Sequence, residues 1–456
     1  MSTQPDPDHS PGAVAGWSHD SSGTTAAAWR AHRSWSDLAP LDDLSGIDRV
    51  VVAAAHPDDE TLGAGGLCAR AAGRGIAVDV LLVTSGEHSH PSSTTLSSTE
   101  LAVRRRTESA EALVLVAGEA RLHELDVEDG TVSEHEAHVT TQLVRLVGTG
   151  ERVLLVAPWR HDGHPDHEAV GRAAAAAARR TDAALLEYVV WFWHWGAPGS
   201  APWPDLRALR LTAAELEAKQ AAIAAHRTQV EPLSPRPGDE ALLSPAFLAH
   251  FGTDLEVYVA QPPHDAALDE LHRARSEPWH VDERWYERRK RDLTLAALPR
   301  ERFSRGLELG CSTGALAERL AERCDELVAV DSSRAAASRA RRRLVCACHA
   351  RVEVLDLPSE WPDGEFDLVV LSEVGYFLSP LSLETLRGRI AGCLSDDGVV
   401  VLCHWQHAVE GWLLDGPDVH QRLMSGLGLP VVARYLDRDV ELLVLAPTEA
   451  LPHPER

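Results

Sequence analysis

The chain has 456 residues, of which 44% are hydrophobic and 25% are charged, and its formal net charge is -25. This length predicts two domains of ordinary size, each large enough to bury a core. The negative charge argues against broad binding to nucleic acid or to an anionic membrane surface. The seven scattered cysteines do not form a disulfide framework. Because the sequence shows neither a membrane-spanning apolar run nor a signal peptide, we expect a soluble cytoplasmic protein.

The first half of the chain begins with a polar segment and continues as alternating strands and helices. Residues 1–45 are rich in Ser, Pro, Asp and Gly and predict a mobile arm, and residues 46–262 predict the first domain. Apolar runs and their punctuation by Gly and Pro give its elements. In chain order they are strand 50–55, helix 61–72, strand 76–84, helices 100–116 and 134–147, strand 153–157, helix 167–180, strand 185–195, helix 212–227 and strand 255–260.

The second half repeats this alternation after a Pro-rich boundary. We expect a linker with the N-terminal helix of the second domain at residues 263–300, the second domain itself at 301–447 and a tail at 448–456. Its elements are strand 306–309, helix 314–323, strand 327–330, helix 335–344 and strands 352–355, 368–371 and 399–402. The predicted fold class is α/β, with two Rossmann-like domains that are each a mostly parallel sheet with helices on both faces.

Two segments rich in His and Asp follow predicted strands of the first domain. His56-Pro57-Asp58-Asp59 comes directly after strand 50–55, and His164-Pro165-Asp166-His167 follows strand 153–157. Ligands in open α/β sheets bind beyond the carboxyl ends of the strands. A His-x-x-Asp pair and a distant His give three ligands, which leaves one position of a catalytic Zn²⁺ open. Either segment alone is better explained as a polar turn, but the two together predict a metal-assisted hydrolytic site.

The paired motifs AHPDDE and GHPDH resemble those of the PIG-L/LmbE-type N-deacetylases over about residues 48–260. Members of that family are zinc hydrolases with a Rossmann-like fold that act on N-acetylglucosamine conjugates and related amides. The resemblance implies that His56, Asp59 and His167 hold zinc and that Asp58 is the general base. It also implies that His164 stabilises the oxyanion or protonates the leaving amine, with Asp166 setting its orientation.

Three further residues match less distinctive positions of that family. Arg105 falls where the family has a substrate-binding arginine, although a charge on a helix surface explains it equally well. Asp129 resembles an Asp-Gly turn near the sugar, and a plain turn is the alternative. His226 lies in a K…HxxQ stretch, residues 219–229, that we expect near the pocket. Some members have a tyrosine where this chain has Asp162, so an oxyanion role for tyrosine is not transferred.

A glycine-rich turn joins a strand to a helix in the second domain. Its spacing, Gly310-x-x-x-Gly314, differs from the GxGxxG of dinucleotide folds, and the next two strands end in Asp331 and Asp356. A carboxylate at such a strand end can accept hydrogen bonds from ribose hydroxyls. Together these features resemble the class I S-adenosylmethionine-dependent methyltransferases. The resemblance is closer to the nodulation-type N-methyltransferases that modify chitooligosaccharide amines, over about residues 276–447 and through EPW, WYERRK, ELGCSTG, FD and SEV.

This second resemblance implies S-adenosylmethionine as a cofactor and assigns residues to it. The implied contacts are Glu308, Gly310 and Gly314 with the methionine end, Asp331 with ribose, and Asp356 and Leu357 with adenine. Arg289 pairs with the methionine carboxylate or is a solvated helix charge.

The side of the site that receives the methyl group is less sharply predicted. Glu373 binds or deprotonates an amine, or is only a loop carboxylate. His404, Trp405 and His407 line the acceptor site or form a packed aromatic corner.

The two resemblances together suggest one bifunctional enzyme. It would remove an acetyl group from an N-acetyl amino-sugar conjugate and methylate the released amine. Two alternatives stay open: methylation of a hydroxyl or carboxylate on an unrelated acceptor, and retention of one domain only as a nucleotide- or sugar-binding module.

Overall fold

The computed structural model describes residues 23–41, 44–448 and 451. The chain forms two compact units, Met1–Ala178 with Ala183–Pro263 and Arg179–Asp182 with His264–Arg456. Each unit contains one mostly parallel sheet flanked by helices, so the predicted fold class is confirmed. None of the helices in the described ranges is long and apolar enough to cross a membrane.

An eight-stranded sheet forms the centre of the first unit. Its strands are β1 (Ala39–Pro40), β2 (Arg49–Ala54), β3 (Ala77–Thr84), β4 (Arg121–Val127), β5 (Val153–Pro158), β6 (Ala184–Tyr188), β7 (Leu206–Arg210) and β8 (Leu255–Val259). They lie in the order β1-β7-β8-β6-β5-β2-β3-β4, and only the pairs made by β8 are antiparallel. The central strands β2 and β5 are apolar and almost wholly buried, as expected where helices cover both faces.

The helices of the first unit include two that begin at the predicted metal motifs. The α-helices are α1 (Ala26–Ala31), α2 (Arg33–Ser36), α3 (Asp59–Gly73), α4 (Ser98–Val116), α5 (Glu136–Val147), α6 (Pro165–Thr181), α7 (Phe192–Trp195), α8 (Ala213–Ala225), α9 (Arg227–Val230) and α10 (Pro245–Leu248). α3 begins just beyond β2, and α6 begins just beyond β5. Pro165 is the first residue of α6, where its missing N–H costs no hydrogen bond, because the first N–H groups of a helix have no partner within it.

Two predictions for the first unit need correction. Residues 23–41 are not a mobile arm, because Trp29 on α1 is only 1% exposed and its indole N–H donates to the carbonyl of Trp193 at 2.6 Å. Residues 1–22 and 42–43, which complete the predicted arm apart from 44–45, lie outside the described residues. The predicted strand 185–195 ends at Tyr188, and its aromatic continuation turns into α7. An apolar run does not by itself distinguish a strand from a buried helical turn.

The second unit is built on a seven-stranded sheet. Its strands are β9 (Phe303–Leu309), β10 (Cys324–Asp331), β11 (Ala350–Val354), β12 (Phe366–Ser372), β13 (Leu394–Trp405), β14 (Val431–Leu436) and β15 (Val440–Leu445). The order is β11-β10-β9-β12-β13-β15-β14, with β15 antiparallel to both of its neighbours. The α-helices are α11 (Ala267–Ala274), α12 (Trp285–Ala297), α13 (Ala315–Ala321), α14 (Arg334–Arg343), α15 (Pro380–Cys393) and α16 (Gly416–Leu427). Apolar clusters pack on both faces of the sheet.

Candidate active sites of the two units

The two His–Asp segments of the first unit meet at one edge of the sheet. β2 and β5 are parallel neighbours, with Val52 opposite Val156, so both leave the sheet in the same direction. The ring centroids of His56 and His167 lie 5.3 Å apart, and that of His164 lies 4.8 Å and 4.7 Å from them. The predicted catalytic and metal-binding histidines are therefore neighbours, although the segments that carry them are separated by about a hundred residues.

The side chains of His56, Asp59 and His167 form a group with the spacing needed to hold a metal ion. Each offers a ligand atom, and these atoms lie within 4.8 Å of one another. His167 Nε2 is 3.2 Å from Asp59 Oδ1 and 3.3 Å from His56 Nδ1. Two imidazoles and one carboxylate suit Zn²⁺ and leave its fourth position open. A second set, formed by His56, His164 and Asp166, overlaps with the first.

The electrostatics of this pocket favour a cation. Burial lowers the pKa of His56, but hydrogen bonds with Asp129, Asp166 and Asp59 raise it well above its ordinary value. Burial likewise lowers the pKa of His167, while Asp59 and Asp162 raise it to about 9. The carboxylates thus outweigh desolvation at both imidazoles. A divalent metal ion would meet the same surplus of negative charge, so the donor set fits the metal that the motifs imply.

Asp58 lies beside these ligands, immediately before α3. Its backbone φ of 132° is unusual for a residue with a side chain. Burial raises the pKa of its carboxyl group to about 7, against the opposing charge of Arg105. Arg105 Nη2 donates to Asp58 Oδ2 at 3.3 Å and to the carbonyl of Pro57 at 2.7 Å. A carboxylate held next to the ligands in this way can accept a proton from an attacking water.

The buried Asp162 orients His167, a role that the sequence did not predict. Its Oδ2 lies 2.9 Å from His167 Nδ1, and its two oxygens accept the N–H groups of Val190, Trp191 and Phe192 at 2.9 to 3.1 Å. With Nδ1 donating to Asp162, the Nε2 of His167 points its lone pair at the ligand cluster. The sequence signal for this role is the position of Asp162, five residues before His167 and just before the start of α6.

Asp166 and Asp129 fix the opposite side of the pocket. Asp166 is fully buried and accepts the N–H groups of Gly130 at 2.8 Å and Val132 at 3.2 Å. Its own N–H donates to His164 Nδ1 at 3.1 Å, so a neutral His164 carries its proton on Nε2. Asp129 Oδ1 is 3.1 Å from His56 Nε2. Asp129 therefore lies at the predicted pocket, in contact with a ligand side chain.

Arg105 and His226 are both buried, and their contact with substrate stays a prediction. Arg105 is 2% exposed and is bound to chain carbonyls and to Asp58, so its contacts favour a role in positioning Asp58. His226 is buried against α3, where its Nε2 lies 3.0 Å from Thr61 Oγ1. Burial lowers its pKa to about 3. Both side chains lie where helices pack together, because α4 and α8 contact each other and α3.

The second unit contains a cavity of about 1050 Å³ at the carboxyl ends of its strands. Its wall includes Glu308 and the turn Gly310–Ser312, the strand-end residue Glu373 and many aromatic rings. The aromatic lining residues are Trp279, Trp285, Tyr286, Tyr376, Phe377, Trp405 and Trp412. A pocket of this size, mostly apolar and with a few polar groups, is typical of a site for a small molecule.

The glycine-rich turn adopts a conformation that requires its glycines. Gly310 and Gly314 have φ values of 75° and 84°, and a Cβ on Gly314 would lie 2.9 Å from the Cα of Ala340. Between them Ser312 has a φ of 49°, and its N–H donates to Asp331 Oδ2 at 2.8 Å. The other oxygen of Asp331 accepts the N–H of Ser333 at 2.9 Å. Asp331 therefore stabilises the turn through the N–H of Ser312, and its contact with ribose stays a prediction.

Glu308 provides a test of whether the cavity fits S-adenosylmethionine. It lines the cavity, and its Oε2 is buried without a hydrogen-bond partner among the described residues. Burial and the nearby Asp331 raise the pKa of Glu308 to about 8. An acceptor left unpaired in a buried wall is costly unless a ligand donates to it. The cationic amine at the methionine end of the cofactor is such a donor, so the residues present fit the group.

Of the seven predicted cofactor contacts, Glu308 and Gly310 line the cavity, whereas Gly314, Asp331, Arg289, Asp356 and Leu357 are not among its lining residues. Arg289 binds Tyr435 and Asp437, and its Nη2 is 2.6 Å from Asp437 Oδ2. Asp356 is exposed, and neither it nor Leu357 is among the residues that line the cavity. Arg289 thus pairs with residues of the β14–β15 hairpin, which the sequence did not predict, and its contact with the methionine carboxylate stays a prediction.

Glu373 is the centre of a polar cluster on the cavity wall. Its Oε1 accepts from Tyr286 at 3.2 Å and lies 3.3 Å from Lys290 Nζ, and its Oε2 accepts from Tyr376. Lys290 also pairs with Glu287 at 2.9 Å. Burial lowers the pKa of Lys290, but the charges of Glu373 and Glu287 raise it above its ordinary value. The cluster thus combines two carboxylates, an ammonium group and two phenols around one wall of the cavity.

The three residues predicted at the end of β13 have separate surroundings. Trp405 lines the cavity, where its ring meets that of Tyr286 edge to face at 5.3 Å. His404 is fully buried behind the wall. His407 is exposed and lies 3.1 Å from Asp439.

Asp162→Asn tests the orientation of His167. We expect metal affinity to fall by about 10- to 100-fold, the usual effect of losing a partner of a ligating histidine. Metal retained after dialysis against a graded chelator measures the change. Asp79→Asn is the matched control, because Asp79 is buried and paired with Arg49 and His123 elsewhere in the same unit. Equal metal affinity in Asp162→Asn and the parent protein would contradict the assignment.

Comparison with known proteins gives a separate match for each unit. Residues 51–178 match the family described as PIG-L: GlcNAc-PI de-N-acetylase, and residues 264–409 match Nodulation protein S (NodS). Nodulation protein S of Rhizobium tropici is 33% identical over 130 residues, which are 28% of this chain and 55% of that protein. Diacetylchitobiose deacetylase of Thermococcus kodakarensis is 31% identical over 148 residues, 32% of this chain and 54% of that protein.

Among solved structures, N-methyltransferase NodS from Bradyrhizobium japonicum WM9 in complex with S-adenosyl-l-homocysteine is similar. It is 26% identical, covers 40% of this chain and 97% of its own, and has a TM-score of 0.37. The chain spans only 55% and 62% of the first two curated relatives that it matches. The chain contains a PIG-L deacetylase domain at residues 51–178, followed by a NodS-like S-adenosylmethionine-dependent methyltransferase domain at residues 264–409.

Proposed function

We propose that this protein removes the acetyl group from an N-acetyl amino-sugar conjugate and then methylates the amine that it has released. The first reaction would use Zn²⁺ at His56, Asp59 and His167, and the second would use S-adenosylmethionine in the cavity of the second unit. The observation that carries the proposal is the buried ligand cluster with Asp58 beside it, in the same chain as a NodS-like domain. Diacetylchitobiose deacetylase and Nodulation protein S among the relatives favour an amino-sugar substrate.

The residues of the first unit divide amide hydrolysis between them. A bound divalent metal would act as a Lewis acid on the amide carbonyl and on the attacking water. Asp58 accepts a proton from that water as the new C–O bond forms. When the C–N bond breaks, the proton that Asp58 took from the water passes to the leaving nitrogen. His164 keeps its proton on Nε2, the tautomer that its contact with the N–H of Asp166 favours, and donates it as a hydrogen bond to the developing oxyanion. The products are acetate and a free amine.

The residues of the second unit receive that amine. The cofactor would supply its methyl group as an electrophile on sulfonium. The amine nitrogen must be neutral to attack, and it must lose one proton after the C–N bond has formed and the S–C bond has broken. Glu373, which lines the cavity, is the group that we assign to accept this proton. Its bonds from Tyr286 and Tyr376, which also line the cavity, hold its carboxylate in position.

Replacing Asp58 by Asn should abolish most of the hydrolysis without removing the metal. Loss of a general base lowers kcat by about a hundredfold or more. The measurement is acetate release from N-acetylglucosaminyl conjugates, with metal content determined on the same sample. Asp126→Asn makes the same charge change at an exposed position of the same unit and should behave as the parent protein. Hydrolysis by Asp58→Asn at the parent rate would rule out Asp58 as the base.

Glu373→Gln should lower methyl transfer by about tenfold to a hundredfold while S-adenosylhomocysteine still binds, because only the proton acceptor is changed. Methylated product measured by mass spectrometry gives the rate, and isothermal titration gives the affinity for S-adenosylhomocysteine. Glu326→Gln, an exposed position on β10, is the control. Parent-like methyl transfer in Glu373→Gln would remove Glu373 from the mechanism.

The link between the reactions can be tested with the Asp58→Asn protein. It should give no methylated product from an acetylated conjugate, but should methylate the same conjugate after chemical deacetylation. Mass spectrometry of both incubations, with Zn²⁺ and S-adenosylmethionine present, reports the result. If the acetylated conjugate is methylated at the parent rate, the acceptor is not the released amine. If S-adenosylhomocysteine binds but no acceptor is methylated, the second unit is a binding module.

A further inference from the structure

A line of buried polar side chains leads away from the cavity of the second unit. His404 lies near the end of β13, His420 on α16 and Glu441 on β15, and their exposed fractions are 0%, 1% and 6%. His404 Nδ1 is 3.0 Å from His420 Nε2, and His420 Nδ1 is 3.1 Å from Glu441 Oε2. Arg434 on β14 lies at the far end of the line, where its Nη2 is 2.7 Å from the other oxygen of Glu441. None of the four residues is part of the cavity wall.

The N–H of Gly375, at one end of this line, determines which nitrogen of each imidazole carries the proton. The N–H of Gly375 donates to His404 Nε2 at 3.2 Å, and a backbone N–H cannot accept. His404 must therefore carry its proton on Nδ1 and donate to His420 Nε2. His420 then carries its own proton on Nδ1 and donates to Glu441. Both imidazoles are neutral in this arrangement, and each is in the Nδ1–H tautomer.

The charges around the two rings agree with neutral imidazoles. Burial lowers the pKa of His404, and the neighbouring His420 and Lys290 lower it further. Burial also lowers the pKa of His420, although Glu441 on β15 opposes this and Arg434 on β14 adds to it. The line is not a proton path to the cavity, because it ends at a backbone amide. Its remaining effect is to hold that amide in place.

The amide belongs to the turn that carries part of the cavity wall. Gly375 begins a single helical turn, Gly375–Phe377, in which Tyr376 donates to Glu373 and Phe377 lines the cavity. The turn has no space to shift towards α16, because a Cβ on Gly375 would lie 2.4 Å from Val419 Cγ1 and 3.1 Å from His404 Nε2. Because His404 accepts the N–H of Gly375, a change in the line of polar side chains would shift Tyr376 and Phe377, which line the cavity.

We propose that His420 and Glu441 are positioning residues of the methyl-transfer site. They fix the tautomer of His404 and, through Gly375, the turn that presents Tyr376 to Glu373 and Phe377 to the cavity. The proposal rests on the proposed methyl transfer, but the tautomers can be measured without it. His420→Leu removes both hydrogen bonds, whereas His420→Gln can still accept from His404 and donate to Glu441.

The tautomers provide the first test. Long-range ¹H–¹⁵N spectra of the full chain with ¹⁵N-labelled histidine should show His404 and His420 as neutral Nδ1–H rings, assigned by their loss in His404→Gln and His420→Gln. Neutral histidines usually carry the proton on Nε2, so this signature is distinctive. A wild-type His404 protonated on Nε2, or a charged His420, would overturn the proposal whether or not the protein methylates anything.

Kinetics provide the second test. We expect His420→Leu to lower kcat for methyl transfer by about tenfold to a hundredfold, with the KM for S-adenosylmethionine changed much less, because the turn and not the cofactor is displaced. His420→Gln should recover most of the rate. Acetate release by the first unit of the same chain reports that the protein is intact. Equal kcat in His420→Leu and the parent, or equal loss in both variants, would overturn the proposal. A parent protein without methyl transfer would instead contradict the proposed function.

Discussion

The first unit depends on negative charge concentrated in a buried pocket. Asp59 and Asp166 are almost fully buried, and Asp129 joins them around His56. Buried carboxylates are costly unless hydrogen bonds or positive charge compensate them. Part of that compensation comes from backbone N–H groups, since Asp59 accepts from His56 and Asp166 accepts from Gly130 and Val132. A bound cation would supply the rest, so the residues that close the loops also fit the metal ion proposed for this site.

Three of the six non-glycine residues with positive φ in the described part of the chain lie where chemistry is expected. Asp58, Ser312 and Glu373 have φ values of 132°, 49° and 60°, although none of them is glycine. Such conformations persist only where the surrounding structure holds them. Asp58 is held by Arg105 and Ser312 by Asp331, while the N–H of Glu373 donates to the carbonyl of Cys403 on β13 at 2.9 Å. At each of these three motif residues, a contact from a distant part of the chain holds the unusual backbone conformation.

The sequence predicted the motifs and their strand ends better than it predicted the side chains around them. His56, Asp59 and His167 could be placed together because parallel strands end at one edge of a sheet, and this needs only the order of elements. The sequence marks Asp162 only as a position where some family members have tyrosine. Its contacts could not be predicted, because its partners are the N–H groups of residues 190–192, in a segment predicted as strand. The same limit applies to Arg289, whose partner Asp437 lies in a hairpin that no motif marks.

Histidine and carboxylate clusters occur in both units, and their charge distinguishes them. In the first unit three carboxylates surround His56 and raise its pKa, so the cluster attracts a cation. In the second unit His404 and His420 meet a single carboxylate, Glu441, which Arg434 already neutralises. Burial then keeps both rings neutral, and they act as a chain of hydrogen bonds. Both clusters combine histidine with carboxylate, so the number of carboxylates for each imidazole, which only the folded structure gives, is what distinguishes the proposed metal site from the proposed positioning line.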